Sequence, residues 1–169
     1  MRMETNLEQE KISSLRRKRQ RGSTALLEGS LVLVPFLAIM FAIVDFGMVI
    51  FLRNTFQHAA REGVRYAVTF QTQSGMGHDA SIKSVVSYNS MGFLSGTQGS
   101  NYIRIRYYDP VTLVETGVNG PGNVVEVSVE GYQWGMMAPL WRSATPVTLN
   151  VRASDRMESL PGVSSPPPR

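Results

Sequence analysis

LVLVPFLAIMFAIVDFGMVIFL, residues 31–52, decides what kind of chain this is. At about 1.5 Å per residue a helix of this length spans roughly 33 Å, enough for a hydrocarbon core about 30 Å thick. Fifteen of its residues are Leu, Ile, Val or Phe. Each favours insertion by roughly 0.3–0.6 kcal/mol near the centre, against about 2.5–3.5 kcal/mol for a central acid, here Asp45. Insertion wins, so the run reads as a membrane span. Pro35 removes a helical hydrogen bond near its start and predicts a kink there.

Working outward, the residues before the span are basic. Positions 1–22 hold seven Lys or Arg against three Glu, which accounts for the whole net charge of +4. This cluster outweighs Arg53, Arg61 and Arg65 on the far side, so the positive-inside bias puts the amino terminus in the cytoplasm and the carboxyl-terminal part outside. The apolar stretch is too long for an ordinary secretory signal and has no A-x-A-like cleavage site, so it reads as a signal-anchor. From Ser23 onward ten basic residues meet ten acidic ones. The body is therefore neutral, with no basic patch for phosphates, and nucleic acid is excluded as a partner. The chain has no cysteine, which excludes disulfides, zinc-thiolate sites and thiol nucleophiles.

Beyond the span, Phe56, Ala59, Ala60, Gly63, Val64, Ala67 and Phe70 recur at helical spacing opposite Arg61, Glu62 and Arg65. One helix is expected over roughly 30–70, its small-residue stripe packed under the protein's own sheet rather than kept as an oligomer seam. After the break at 71–77, Ile82, Val85, Val86 and Phe93 predict a second, shorter helix capped by Asp79. Three alternating stretches predict strands: Tyr102–Tyr108, Val124–Tyr132 and Pro146–Ser154. Arg104 and Arg106 on the polar face of the first, and Glu126 and Glu130 on that of the second, suit cross-strand pairing of antiparallel neighbours. TGVNGPGN, residues 116–123, reads as a loop, and Trp134 and Trp141 as packing residues. The Pro/Ser segment at 157–169 has too little apolar content to fold. The fold class is α+β: a long amino-terminal transmembrane helix continuing into a small domain with a short second helix and an antiparallel sheet of about three or four strands.

No catalytic, cofactor-binding or metal-binding constellation emerges. Asp45-Phe46-Gly47 spells a kinase triplet but lies inside the apolar run. Gly75 to Ala80 fits GxGxxA with no strand before it. His58 and His78 have no companion at ligand spacing and read as solvated or capping residues. An enzyme is not expected.

The Gly22-Ser23 junction, Glu28, the apolar run, Asp45-Phe46-Gly47 and the following RNTFQHAAREGVRYAV together resemble the TadE-like pseudopilins, or minor pilins, of tight-adherence (Tad/Flp) type IVb pilus systems. The resemblance covers Arg21 to Val68. It implies a basic cytoplasmic leader, residues 1–22, cut by a prepilin peptidase after Gly22 to leave Ser23 as the new terminus. A transmembrane helix at 23–53 and a periplasmic domain at 54–156 would follow. The partners implied are the peptidase, other Tad pilins, platform proteins and membrane lipid, in a bacterial inner membrane, with a role in adhesion. Glu28 would be recognised by the peptidase or pair with the terminal amine of a neighbouring subunit; alternatively it is a helix-start acid favoured by the helix dipole. It stands sixth after Gly22 where the family usually has its Glu fifth, and cleavage after Ser23 would restore that spacing. Asp45 either meets a basic group of another assembly subunit or reaches water at the outer interface. The rival to a pilus component is an unprocessed, membrane-anchored periplasmic binding or sensor module.

Overall fold

The computed structural model describes residues 2–137, 146–159 and 165–169, and for 2–26 the backbone alone. Trp141 lies outside the described residues. Helix α1 is Arg2–Val68, running through Pro35 as one element and starting far earlier than the apolar pattern required. Helices α2, His78–Asn89, and α3, Gly96–Ser100, follow. The strands are β1, Ile103–Tyr108; β2, Glu115–Thr116; β3, Val124–Trp134; and β4, Val147–Arg156. They form one antiparallel sheet in the order β2-β1-β3-β4. The α+β expectation holds. β2 is additional, a two-residue strand that ends at Thr116, the first residue of the stretch read as loop, and is too short to show alternation.

The chain divides into two compact units. One holds α1 as far as Asp45 together with Met137; the other begins at Phe46 and holds the rest of α1, α2, α3 and the sheet. In the second unit the core lies between the end of α1 and one face of the sheet. Leu52, Phe56, Ala59, Val64 and Ala67 of α1, Ile82 and Val86 of α2, Ile103 and Tyr107 of β1, Val125, Val127 and Val129 of β3, and Leu149 and Val151 of β4 are all buried there. The small-residue stripe therefore packs under the protein's own sheet. Its tightest point is Gly63, where an added Cβ would stand 2.5 Å from Val86 Cγ2 and 3.3 Å from Val127 Cγ1.

The charges fall on the opposite face as the alternation requires. Arg106 stands directly across from Glu126 and makes a bidentate pair with Glu130 at 2.6 and 3.0 Å. Those hydrogen bonds from Arg106 hold the Glu130 carboxyl down at about 2, well below the usual carboxylate range.

A bulge in β3 was not legible in the alternation. Pairing with β4 passes from Val129↔Val151 to Tyr132↔Leu149, so Glu130 and Gly131 together oppose Asn150. Gly131 takes a φ of 75°, in the left-handed region that favours glycine, and its N–H donates to Asn150 Oδ1 at 2.7 Å. The extra residue shifts the phase by one. Tyr132 and Trp134, which strict alternation would put on the outer face, thereby pack against the core.

The segment expected to stay unfolded beyond 157 is held at several described positions. Met157 is buried and exchanges backbone hydrogen bonds with Gly122 and Asn123, while the Glu158 N–H reaches Val68 O at 3.2 Å. Near the end, Pro168 O accepts the first N–H of α2 from His78 at 2.8 Å, and Pro167 O accepts from Asn119 Nδ2 at 2.9 Å. Proline carbonyls accept hydrogen bonds like any others, so the lack of apolar residues did not decide the matter.

Candidate assembly site on the amino-terminal helix

The residues singled out for processing and assembly all lie on α1. Gly22 and Ser23 have helical backbone, with the peptide bond between them inside the element. Glu28 is exposed on the helix surface, on a shallow open face formed with Leu27, Ser30, Leu31, Val34 and Pro35. The Ser30 hydroxyl donates back to Leu27 O at 2.9 Å. Around and beyond Glu28 the large apolar side chains point outward: Leu31 is 77 % and Ile43 64 % exposed. A core helix of a water-soluble protein hides such residues. Here the helix is long and apolar enough to cross a membrane, and its surface calls for an apolar solvent.

Asp45 departs from this pattern. It is 1 % exposed, and its Oδ1 accepts the backbone N–H of Met137 at 3.0 Å. The carboxylate is thus engaged within the chain by a residue ninety-two positions away, which neither sequence expectation for Asp45 included.

Residues 22–65 match the family described as TadE-like protein. The TadE-like match opens at Gly22 and takes in Glu28, the exposed apolar surface and Asp45. It closes three residues short of the end of α1 and leaves the sheet outside. The resemblance read from the residues themselves covers nearly the same stretch. No curated protein and no solved structure matches the chain.

Outside the TadE-like region lies a polar cluster that sequence reasoning missed. His78, expected as a solvated or capping residue, is buried between the rings of Phe70 and Tyr107, with centroids 5.9 and 6.5 Å away. Its Nδ1 lies 3.1 Å from the Tyr107 hydroxyl, which donates to Asp79 Oδ1 at 2.8 Å. Asp79, expected as a helix cap, instead joins the far end of the chain. Arg169 pairs with it at 2.9 Å, lies 4.8 Å from the centre of the Tyr107 ring and donates to Gly117 O at 2.7 Å. The N-cap is Gly77, with no side-chain cap bond. With the Tyr107 proton given to Asp79, a protonated His78 Nδ1 donates to the Tyr107 oxygen, whereas in the other tautomer Nδ1 accepts from Asn119 Nδ2, 3.3 Å away. This network joins α2, β1, the loop after β2 and the last residues. His58, by contrast, is exposed as expected.

Burial pushes the His78 imidazole below its ordinary value, with Asp79 opposing and Arg169 adding to the shift, and burial with the Asp79 bond raises Tyr107. Unfolding releases His78 to titrate near 6.5. Between its folded value and 6.5 the unfolded chain binds more protons, so stability rises with pH across that window and is lost on acidification. The folded domain is expected to weaken as pH falls below about 6.5, with a slope of at most about 1.4 kcal/mol per pH unit. His78→Gln should flatten that slope in denaturant titrations; an unchanged slope would assign the pH dependence elsewhere.

The outer face of the sheet carries an open concavity lined by Arg53, Gln57, Arg106, Glu126, Glu130 and Arg152, among others. Arg106 is already paired across it with both glutamates. Among the described residues no group of three or more His, Asp or Glu is placed to hold a metal ion.

Proposed function

We propose that this chain is a TadE-like pseudopilin, a non-catalytic, single-pass inner-membrane component of Tad/Flp pilus assembly and adhesion. Its amino terminus is cytoplasmic, residues 23–53 span the bilayer, and residues 54–156 form a periplasmic domain. The observation that carries the proposal is the TadE-like match that begins at Gly22 and runs through Glu28 into a solvent-exposed apolar helix. Residues 1–22 are a leader for a prepilin peptidase, and removing them takes away the whole positive excess. Glycine costs about 1 kcal/mol relative to alanine inside a helix, which favours local unwinding at Gly22 for a protease that needs extended backbone. Glu28, exposed one turn and a half later, is available to the peptidase or to the terminal amine of a neighbouring pilin.

Amino-terminal sequencing of protein extracted from membranes of cells with an active prepilin peptidase is expected to find Ser23 or Thr24 first. An intact Met1 there would instead support a membrane-anchored binding or sensor module. Glu28→Ala should abolish processing or piliation while leaving the protein in the membrane fraction. Normal piliation by that variant would reduce Glu28 to a helix-start acid.

A further inference from the structure

Two features of the first unit explain each other. Asp45 lies seven residues before Leu52, about 10 Å inside the apolar run. A carboxylate at that depth is costly unless it is engaged. The Met137 N–H that engages it belongs to the connection between β3 and β4. That connection reads GMMAPLW over residues 135–141, with no charge before Arg142 and with Pro139, which has no N–H to satisfy. The Met137 side chain is 54 % exposed, and on the helix Phe41, Ile43 and Val44 present exposed apolar surface close to Asp45 in the chain.

A backbone N–H bonded to Asp45 lies at the same level along the helix as Asp45. If residues 31–52 cross a bilayer, Met137 lies inside the leaflet at the carboxyl-terminal end of the span. At that depth non-helical backbone persists only where protein groups take up its polar atoms, and Asp45 does so for Met137. The side chains beside it must be apolar, and they are. Trp134 and Trp141 bracket the stretch in the sequence, a residue type enriched where membrane meets water.

We propose that Met137, at the start of the β3–β4 connection, lies in the bilayer beside α1 as a second lipid-facing group, with the Asp45 carboxylate as the acceptor that pins its backbone there. Its partner is the phospholipid leaflet that receives the span. The proposal rests on α1 being membrane-inserted. It gives Asp45 an intramolecular role in place of contact with another subunit.

Because the chain has no cysteine, Met137→Cys carries a unique nitroxide label, and Ile43→Cys carries a reference label on the span. The full chain is reconstituted in vesicles of phosphatidylethanolamine and phosphatidylglycerol, and relaxation of each label by oxygen and by an aqueous nickel chelate is compared. Both labels are expected to be relaxed more by oxygen. Adding Asp45→Leu should shift the 137 label toward nickel and leave the 43 label unchanged, whereas Asp45→Asn, which keeps an acceptor oxygen, should hold the 137 label in place. A 137 label as open to nickel as one at exposed Tyr88, with the 43 label in lipid, overturns the proposal while the membrane reading stands. A 43 label in water overturns both. A 137 label shielded from both relaxants, with spin–spin broadening that grows with protein density, would show a second copy covering the connection, and also overturns it.

Discussion

Phe56→Ala is expected to destabilise the sheet-bearing unit by about 3–5 kcal/mol. Phe56 is fully buried at the point where α1 meets the sheet. Its ring lies 4.8 Å from that of Tyr132 and 6.4 Å from that of Phe93, both edge-to-face. Truncation removes the transfer free energy of a whole ring, leaves a cavity, and takes away two aromatic pairs worth about 0.5–1.5 kcal/mol each beyond their buried area. Neighbouring Ala59 and Ala60 are too small to fill the space. Denaturant unfolding of the full chain in detergent, followed by tryptophan emission, measures the loss. Tyr88→Ala, at a side chain 86 % exposed, serves as the control and should change stability by no more than about 0.5 kcal/mol. A loss below about 1 kcal/mol for Phe56→Ala would mean that α1 does not close the core.

Gly63→Leu is expected to prevent the same unit from folding. An alanine at 63 sets two effects against each other: about 1 kcal/mol gained in helix propensity, and a Cβ placed 2.5 Å from Val86 Cγ2. That methyl belongs to a β-branched side chain whose χ1 is held nearly fixed within α2, so it yields poorly. Leucine adds three further carbons where Val127 and Ile82 already stand close. Overpacking of this kind costs about 1–3 kcal/mol per site and more when neither neighbour can move. The expected order is therefore a net loss of up to about 2 kcal/mol for Ala and a severe effect for Leu, read as lost protease resistance and a lost unfolding transition. A leucine variant as stable as the parent would show that helix and sheet do not approach as closely as they do here.

Much of this architecture is visible in particular residues. The apolar run at 31–52 specifies a helix long and apolar enough to cross a membrane by length and composition alone. The 3.6-residue recurrence from Phe56 to Ala67 specifies which face of α1 is buried, and the period-two alternation around Ile103, Val127 and Val151 specifies three strands and their inner faces. Arg106 and Glu126 predicted an antiparallel neighbour because opposite charges on matching faces want to stand across from one another. Gly22, Glu28 and Asp45 could be picked out by residue type and order.

What stayed hidden has a common cause: it depends on which distant residues meet. Alternation cannot reveal the bulge at Gly131, because one added residue inverts the phase and only the pairing with β4 shows that Tyr132 and Trp134 return to the core. The expected cap Asp79 binds Tyr107 and Arg169, and the presumed solvated His78 is enclosed, through bonds that span 28 to 90 residues.

By itself, then, the sequence determined the membrane-length helix, its buried stripe, the strand faces and the neutral charge of everything after Gly22, because periodicity and composition are properties of consecutive residues. Only the tertiary structure decided that the Asp45 carboxylate receives the Met137 N–H and that the last residues fasten onto α2. A hydrogen bond needs its two atoms about 3 Å apart, and folding alone sets that distance for residues so far apart in the chain.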